Sequence, residues 1–421
     1  MKNFTLLLLL IPAITTAQFS GYVSASYGFN GNPLYNYQQV SDQITQSYIE
    51  LRHLSDFETS TLEFGYTGGL MVFNQLGERT YYEHSLASRW NLTVTEAEGE
   101  SGAADSSGAY LLSELKGTAR HDKSAFEVFD NTSGALSVAY RTMTGDALFM
   151  RFSNGAEYRA YPLVQELTNV TDVLAVSLGS RSRNRLSFEI IASAGMKHYV
   201  MTLSDTSTYE TITTVSMGTG TGTGTGKGHG NGKGLGNGNS NSGGSSTSFV
   251  KKEHLYVAPE ENTSWQYAIG GTLGKEWANG SLQVGFVYRY NPKTTIRYVA
   301  QYVNTSTLSE DIYNDHFTYD GPEAGLRCSQ AFPLRITSAL QLQWASHSYG
   351  APALTLDGIE TGSARKDTRL SLELTVSKAI AIFDGVDLEI NLTGSAMRNQ
   401  SNDEYNDFSA STVAAGVGIG F

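Results

Sequence analysis

Cysteine is almost missing from this chain: Cys328 stands alone among 421 residues, so no internal disulfide framework can hold the fold. Long hydrophobic runs are missing too. The longest apolar stretch lies within residues 4–14, short of the roughly 20 residues a membrane-crossing helix needs. Basic clusters are wanting as well, with 29 Lys and Arg against 41 Asp and Glu, a net charge of −12. That balance argues against nucleic acid as a partner, because neutralising phosphates takes grouped Lys and Arg. Zinc-hydrolase (HExxH), serine-hydrolase (GxSxG) and CxxC patterns do not occur. The run Gly222 to Gly228 fails as a phosphate-binding loop, since Thr221 stands where the first glycine belongs and Gly228 replaces the Ser or Thr after Lys227. No cofactor and no metal site are therefore expected.

What is present begins with an export signal. Met1-Lys2-Asn3, the apolar stretch and the small residues Thr15-Thr16-Ala17 form a signal peptide over 1–17, cut before Gln18. No cysteine follows the cut to carry a lipid anchor. Removing Lys2 leaves 28 basic and 41 acidic side chains, net −13. With 24 tyrosines and 44 glycines, the remainder suits a β-rich chain with many turns and aromatic girdles.

Alternation identifies the strands. Leu62, Phe64, Tyr66, Gly68, Leu70 and Val72 share one face, with Glu63, Gly65, Thr67 and Gly69 opposite. Leu370, Leu372, Leu374 and Val376 alternate likewise with Ser371, Glu373 and Thr375. Such runs reach nine or more positions, the length of a tilted membrane strand rather than of the 5–6-residue strands of soluble sandwiches. Asn279-Gly280 predicts a two-residue hairpin turn that sets Leu273 opposite Phe286 and Gly271 opposite Tyr288. On that strand Trp265 and Trp277 fall about 30 Å apart along the membrane normal, the spacing of two aromatic girdles.

The pattern predicts an all-β fold: a transmembrane antiparallel β-barrel of about 16 strands over 18–421, with both termini on the inner side. The gap at 96–106 is long where a turn is due, so the fifth strand is the least defined and a count of fourteen stays open. Region 218–247, rich in Gly, Thr, Asn and Ser, is expected in the outer loop after strand nine.

The last strand carries a resemblance. Val413, Ala415, Val417, Ile419 and Phe421 alternate and end on an aromatic at the chain terminus. This resembles the C-terminal signature of bacterial outer-membrane β-barrel proteins, which implies residence in the outer-membrane bilayer and recognition by the barrel assembly machinery.

Parity assigns the other face to the lumen: Glu63, Glu83, Glu189, Glu373, Asp387 and Glu389, with Arg89, Arg141, Arg151, Arg185, Arg289 and Arg335. Charge on the lipid side costs up to about 2–4 kcal/mol at the midplane, which is why these groups should keep to the lumen. They either brace a filled barrel or line a wet channel. His84, on the apolar face near a strand end, reads as a membrane-interface residue. The acidic set Glu310, Asp311, Asp315, Asp320 and Glu323 lacks the regular spacing of a calcium loop. Three functions compete: a passive porin or small-solute transporter, a surface-display or structural barrel acting through its loops, and an integral membrane enzyme. Solute and oligomeric state are not written in the pattern.

Overall fold

The computed structural model describes residues 18–33, 35, 37, 39–95, 108–144, 148–163, 165–182, 184–201, 254–257, 262–293, 297–300, 315–356 and 359–421. Segment 1–17, expected as a signal peptide, and the glycine-rich segment 218–247 lie outside them. The strands in chain order are β1 (Gln18–Asn30), β2 (Asp42–Asp56), β3 (Ser60–Phe73), β4 (Tyr81–Thr95), β5 (Ala109–Asp122), β6 (Asn131–Thr144), β7 (Leu148–Ala160), β8 (Asn169–Arg181) and β9 (Leu186–Tyr199). There follow β10 (His254–Val257), β11 (Thr263–Trp277), β12 (Gly280–Lys293), β13 (Arg297–Ala300), β14 (Tyr319–Phe332), β15 (Ile336–Leu354), β16 (Glu360–Phe383), β17 (Val386–Ser401) and β18 (Phe408–Gly420). Strands β10 and β13 pair only with each other; the other sixteen form one closed antiparallel ring. Sixteen is therefore the count, and β5 takes its place between β4 and β6.

Closure joins the two ends of the chain. β18 pairs with β1 from Thr412↔Asn30 to Gly420↔Tyr22, and the Phe421 and Gly21 backbones exchange hydrogen bonds of 2.8 and 2.9 Å. A Cβ on Gly21 would sit 2.4 Å from the Phe421 ring, so the terminal aromatic lies where only glycine leaves it room. With no strand edge left unpaired, every backbone group in the wall can find its partner, the condition for crossing hydrocarbon.

The outward positions make an apolar belt. Val23, Phe64, Leu86, Leu115, Leu136, Leu174, Ile190, Ile269, Leu273, Phe286, Leu374, Leu392 and Val417 are all exposed. Trp265 and Trp277 project on the same side. A patch of this extent has no place in water; its solvent is lipid. Inward positions are polar, and no single core fills the ring.

Two expectations change. The β11–β12 hairpin turns at Ala278–Asn279, so Trp277 pairs with Gly280, Leu273 with Val284 and Gly271 with Phe286. The shift of two residues preserves every side chain's face. Gly280 is needed for close approach rather than for positive φ: a Cβ there would lie 2.4 Å from the Ser329 carbonyl and 2.7 Å from the Trp277 ring. Charge is also not confined to the lumen. Asp172 of β8 shares the parity of the exposed Leu174 and Val176 and so projects outward.

Candidate functional site

The site is the lumen, built from alternate residues of sixteen strands and from connections that fold into its outer mouth. At the end holding the termini, most connections are short, such as Ala278–Asn279, Pro333–Arg335 and Asp384–Gly385. The opposite end, the one expected to face outward, carries longer ones, several of which turn inward. Asp42, the first residue of β2, accepts from the Gln75 and Leu76 amides at 2.9 and 2.8 Å and pins the β3–β4 connection. Leu76, Phe126 and Phe129 are buried there beside Tyr81 of the wall. The Arg79 guanidinium lies 5.7 Å from the Phe73 and Phe126 ring centres. Burial, aided by the nearby Arg120 charge, lowers its pKa to about 10. Arg120 binds Asp122 at 2.7 Å and stacks 3.9 Å over Tyr81.

A second insertion comes from the β12–β14 connection. Asp315, which caps the short turn His316–Thr318, pairs with Lys197 on the inner face of β9. Burial alone would raise the Asp315 pKa, but the Lys197 ammonium, His316 and the Phe317 amide together outweigh it and hold the carboxyl below its ordinary value. Phe317 is buried against Gly195, whose missing side chain leaves the ring its space. Gln266 and Asn291 donate to the His316 carbonyl. Farther round the mouth, Arg365 and Asp367 form a buried pair, with Ser401 donating to Asp367 at 2.6 Å. A cavity of about 280 Å³ lies between β6–β9 and the inserted Asp315–Phe317.

Among the described residues, wider spaces lie on the opposite side. A cavity of about 620 Å³ runs along β1–β3 and β15–β18, walled by Ser24, Ser26, Gln46, Gln341, Asn391, Thr393 and Thr412. Glu373 and Glu389 are the charged side chains among its described lining. A second cavity of about 570 Å³ lies along β9, β11, β12 and β14–β16, with Arg289, Glu323, His347 and Arg369 in its wall. Gln343 and Ser371 line both, so the two spaces meet. Such a space can hydrate and pass polar solutes. Glu373 and Glu389 stand on one side, and on the other Arg369 lies beside the paired Arg289 and Glu323.

The lumen residues expected from sequence divide into groups. Glu63 lies 3.7 Å from Arg89, which binds Glu114 at 2.8 Å; Arg52 stands 3.9 Å from Glu63. Arg141 and Arg151 are direct cross-strand partners, and Arg141 rests 4.1 Å over the Phe149 ring. Glu83 faces Arg120 across the β4–β5 ladder, Glu189 faces Thr272, and Arg289 binds Glu323 at 3.1 Å. Arg185 and Arg335 are not wall residues. Both sit in tight turns of the inner rim with positive φ, 59° and 56°, and Arg335 reaches Asp387 at 3.0 Å. In the acidic set, Glu310 and Asp311 lie outside the described residues. The other three carboxylates take separate partners: Lys197 for Asp315, the Asn291 amide for Asp320, and Arg289 for Glu323.

Sequence reading passed over Lys197, Glu114, Arg365 and Asp367. The last two carry the alternation of Arg369, Ser371 and Glu373 four residues farther, where β16 overruns the membrane: it has 24 residues where a span needs about 9–11.

Sixteen paired strands, an outward apolar belt and a polar lumen define a transmembrane β-barrel of the outer-membrane kind. No family model and no curated protein matches the chain. Among solved structures it is similar over 97% of its length to the outer membrane protein OpdK of Pseudomonas aeruginosa, with 9% identity, all of that chain covered and a TM-score of 0.43. OprD of the same organism aligns over 97% of this chain and 94% of its own at 8% identity, TM-score 0.41. OccAB4 of Acinetobacter baumannii aligns over 97% and 99% at 8% identity, TM-score 0.44. Likeness at this level conveys neither substrate nor mechanism, and the barrel rests on this chain's own strand pairing.

Proposed function

We propose that the protein is a passive outer-membrane channel for small polar solutes. The observation that carries this reading is the pair of joined cavities of about 620 and 570 Å³ inside a closed ring, lined by hydroxyl, amide and charged side chains interspersed with small and apolar ones. A ring of sixteen strands encloses more room than its own side chains fill, and among the described residues the inserted connections leave these two joined spaces free. Glu373 and Glu389, in the wider cavity, act as the selectivity residues and favour cations. The ion pairs Arg89–Glu114 and Arg289–Glu323 shape the wall without net charge. The C-terminal run Val413, Ala415, Val417, Ile419 and Phe421 serves as the assembly signal. Proteoliposomes swollen in isotonic solutes of rising size test the channel: influx of the smallest sugars with a size cut-off supports it. Swelling no faster than protein-free liposomes, with the barrel shown to be folded, would rule it out.

A further inference from the structure

The lipid-facing wall holds a polar pair that the barrel does not need. Asn154 of β7 and Asp172 of β8 both project outward, and Asn154 Nδ2 donates to Asp172 Oδ1 at 2.6 Å. Asn154 stands six residues from either end of β7, well inside the wall. Hydrocarbon offers a carboxylate no hydrogen bonds. One amide satisfies one of its oxygens and leaves the other to be met from outside the barrel.

A complementary face lies on the same wall. Between β1, β3, β4 and β18, Val23, Ile49, Leu70, Val417 and Ile419 border an apolar groove of about 710 Å³, with Gly68 in its floor. His84 stands at its edge, and the Tyr66 hydroxyl is 2.8 Å from His84 Nδ1. In the tautomer in which Tyr66 donates to Nδ1, the ring proton sits on Nε2 and is left as a donor. His84 and Asp172 are each three residues in from the ends of β4 and β8 that lie away from the termini. Two copies sharing one bilayer would present both groups toward the same membrane face.

We propose that a second copy of this chain docks here. The β7–β8 ridge of one copy, with Leu174 and Tyr158 exposed beside the polar pair, enters the β1–β4 groove of the next, and Asp172 accepts from His84. The two faces are different surfaces of one barrel, so the contact is head-to-tail and either closes into a ring or extends through the membrane.

The test uses the full chain in lipid, in a Cys328→Ser background. Differently tagged Leu174→Cys and Leu70→Cys chains are co-expressed and mildly oxidised. The expected result is a disulfide joining unlike tags, little product from either variant alone, and loss of the product when Asp172→Leu, or independently His84→Leu, is added. Heat-modifiability on gels confirms that each variant is folded. No cross-link between unlike tags, an unchanged yield with Asp172→Leu and His84→Leu, or a monomeric mass in lipid nanodiscs would overturn the proposal. Monomers that retain bound lipid would overturn it in favour of lipid in the groove.

Discussion

The outer and inner halves of the lumen use the same chemistry to different ends. In the mouth, the side chains of Arg120 and Asp122 are 3% and 0% exposed and those of Arg365 and Asp367 11% and 0%. At the inner rim, Arg335 and Asp387 are 61% and 53% exposed. A pair taken out of water contributes little net stability, yet removing one member strands a buried charge. A pair left in water is worth almost nothing either way. The mouth pairs therefore fix the ends of β5 and β16 against their neighbours, while the rim pair decorates a wet wall. Identical ion-pair counts would hide this difference; burial reveals it.

The largest expected effect breaks the mouth. Asp367→Ala leaves Arg365 buried without its partner and should cost about 3–5 kcal/mol, read as a lower denaturant midpoint for unfolding in lipid vesicles. Acid should act on the mouth in the same sense through Asp315. Its carboxyl is held below its ordinary value, so its stabilisation is complete above the unfolded pKa of about 3.9 and disappears as pH falls through the folded value. Proteolysis of the β12–β14 connection should therefore stay slow at neutral pH and quicken only well below pH 4; uniform cleavage across that range would contradict the latch.

Next in size is the wall itself. Leu374→Arg puts a guanidinium in lipid at a cost of about 2–4 kcal/mol, whereas Thr375→Arg adds one to the wet side. Assembly yields should differ sharply, and equal yields would mean the faces are reversed. The smallest effect belongs to the inner rim. Arg335→Ala removes an exposed pair and should change stability by no more than about 1 kcal/mol. A loss as large as that of Asp367→Ala would erase the distinction between the two halves.

Much of the barrel was legible because its rules are local. A two-residue period assigns faces, and a slip of two in the β11–β12 hairpin leaves them intact, so the wall could be read while its register was still misplaced. The mouth was not legible. Lys197 meets Asp315 across 118 positions, and Asp42 reaches Leu76 across 34; no period announces such pairings. Arg185 and Arg335 carried the right parity, but parity does not show where a strand gives way to a turn. Asp172 illustrates the converse. Its outward position follows from Leu174 and Val176, and it went unremarked because charge was expected on the other face.

Conduction tests the central claim of an open, polar lumen most directly. Reconstituted into planar bilayers, the folded protein should open steps that modestly favour cations, with a preference that weakens as salt screens the wall charges. Glu373→Gln with Glu389→Gln should lower that preference more than Asp387→Asn, whose carboxylate is already paired with Arg335. Bilayers that stay silent with demonstrably folded protein would contradict the account.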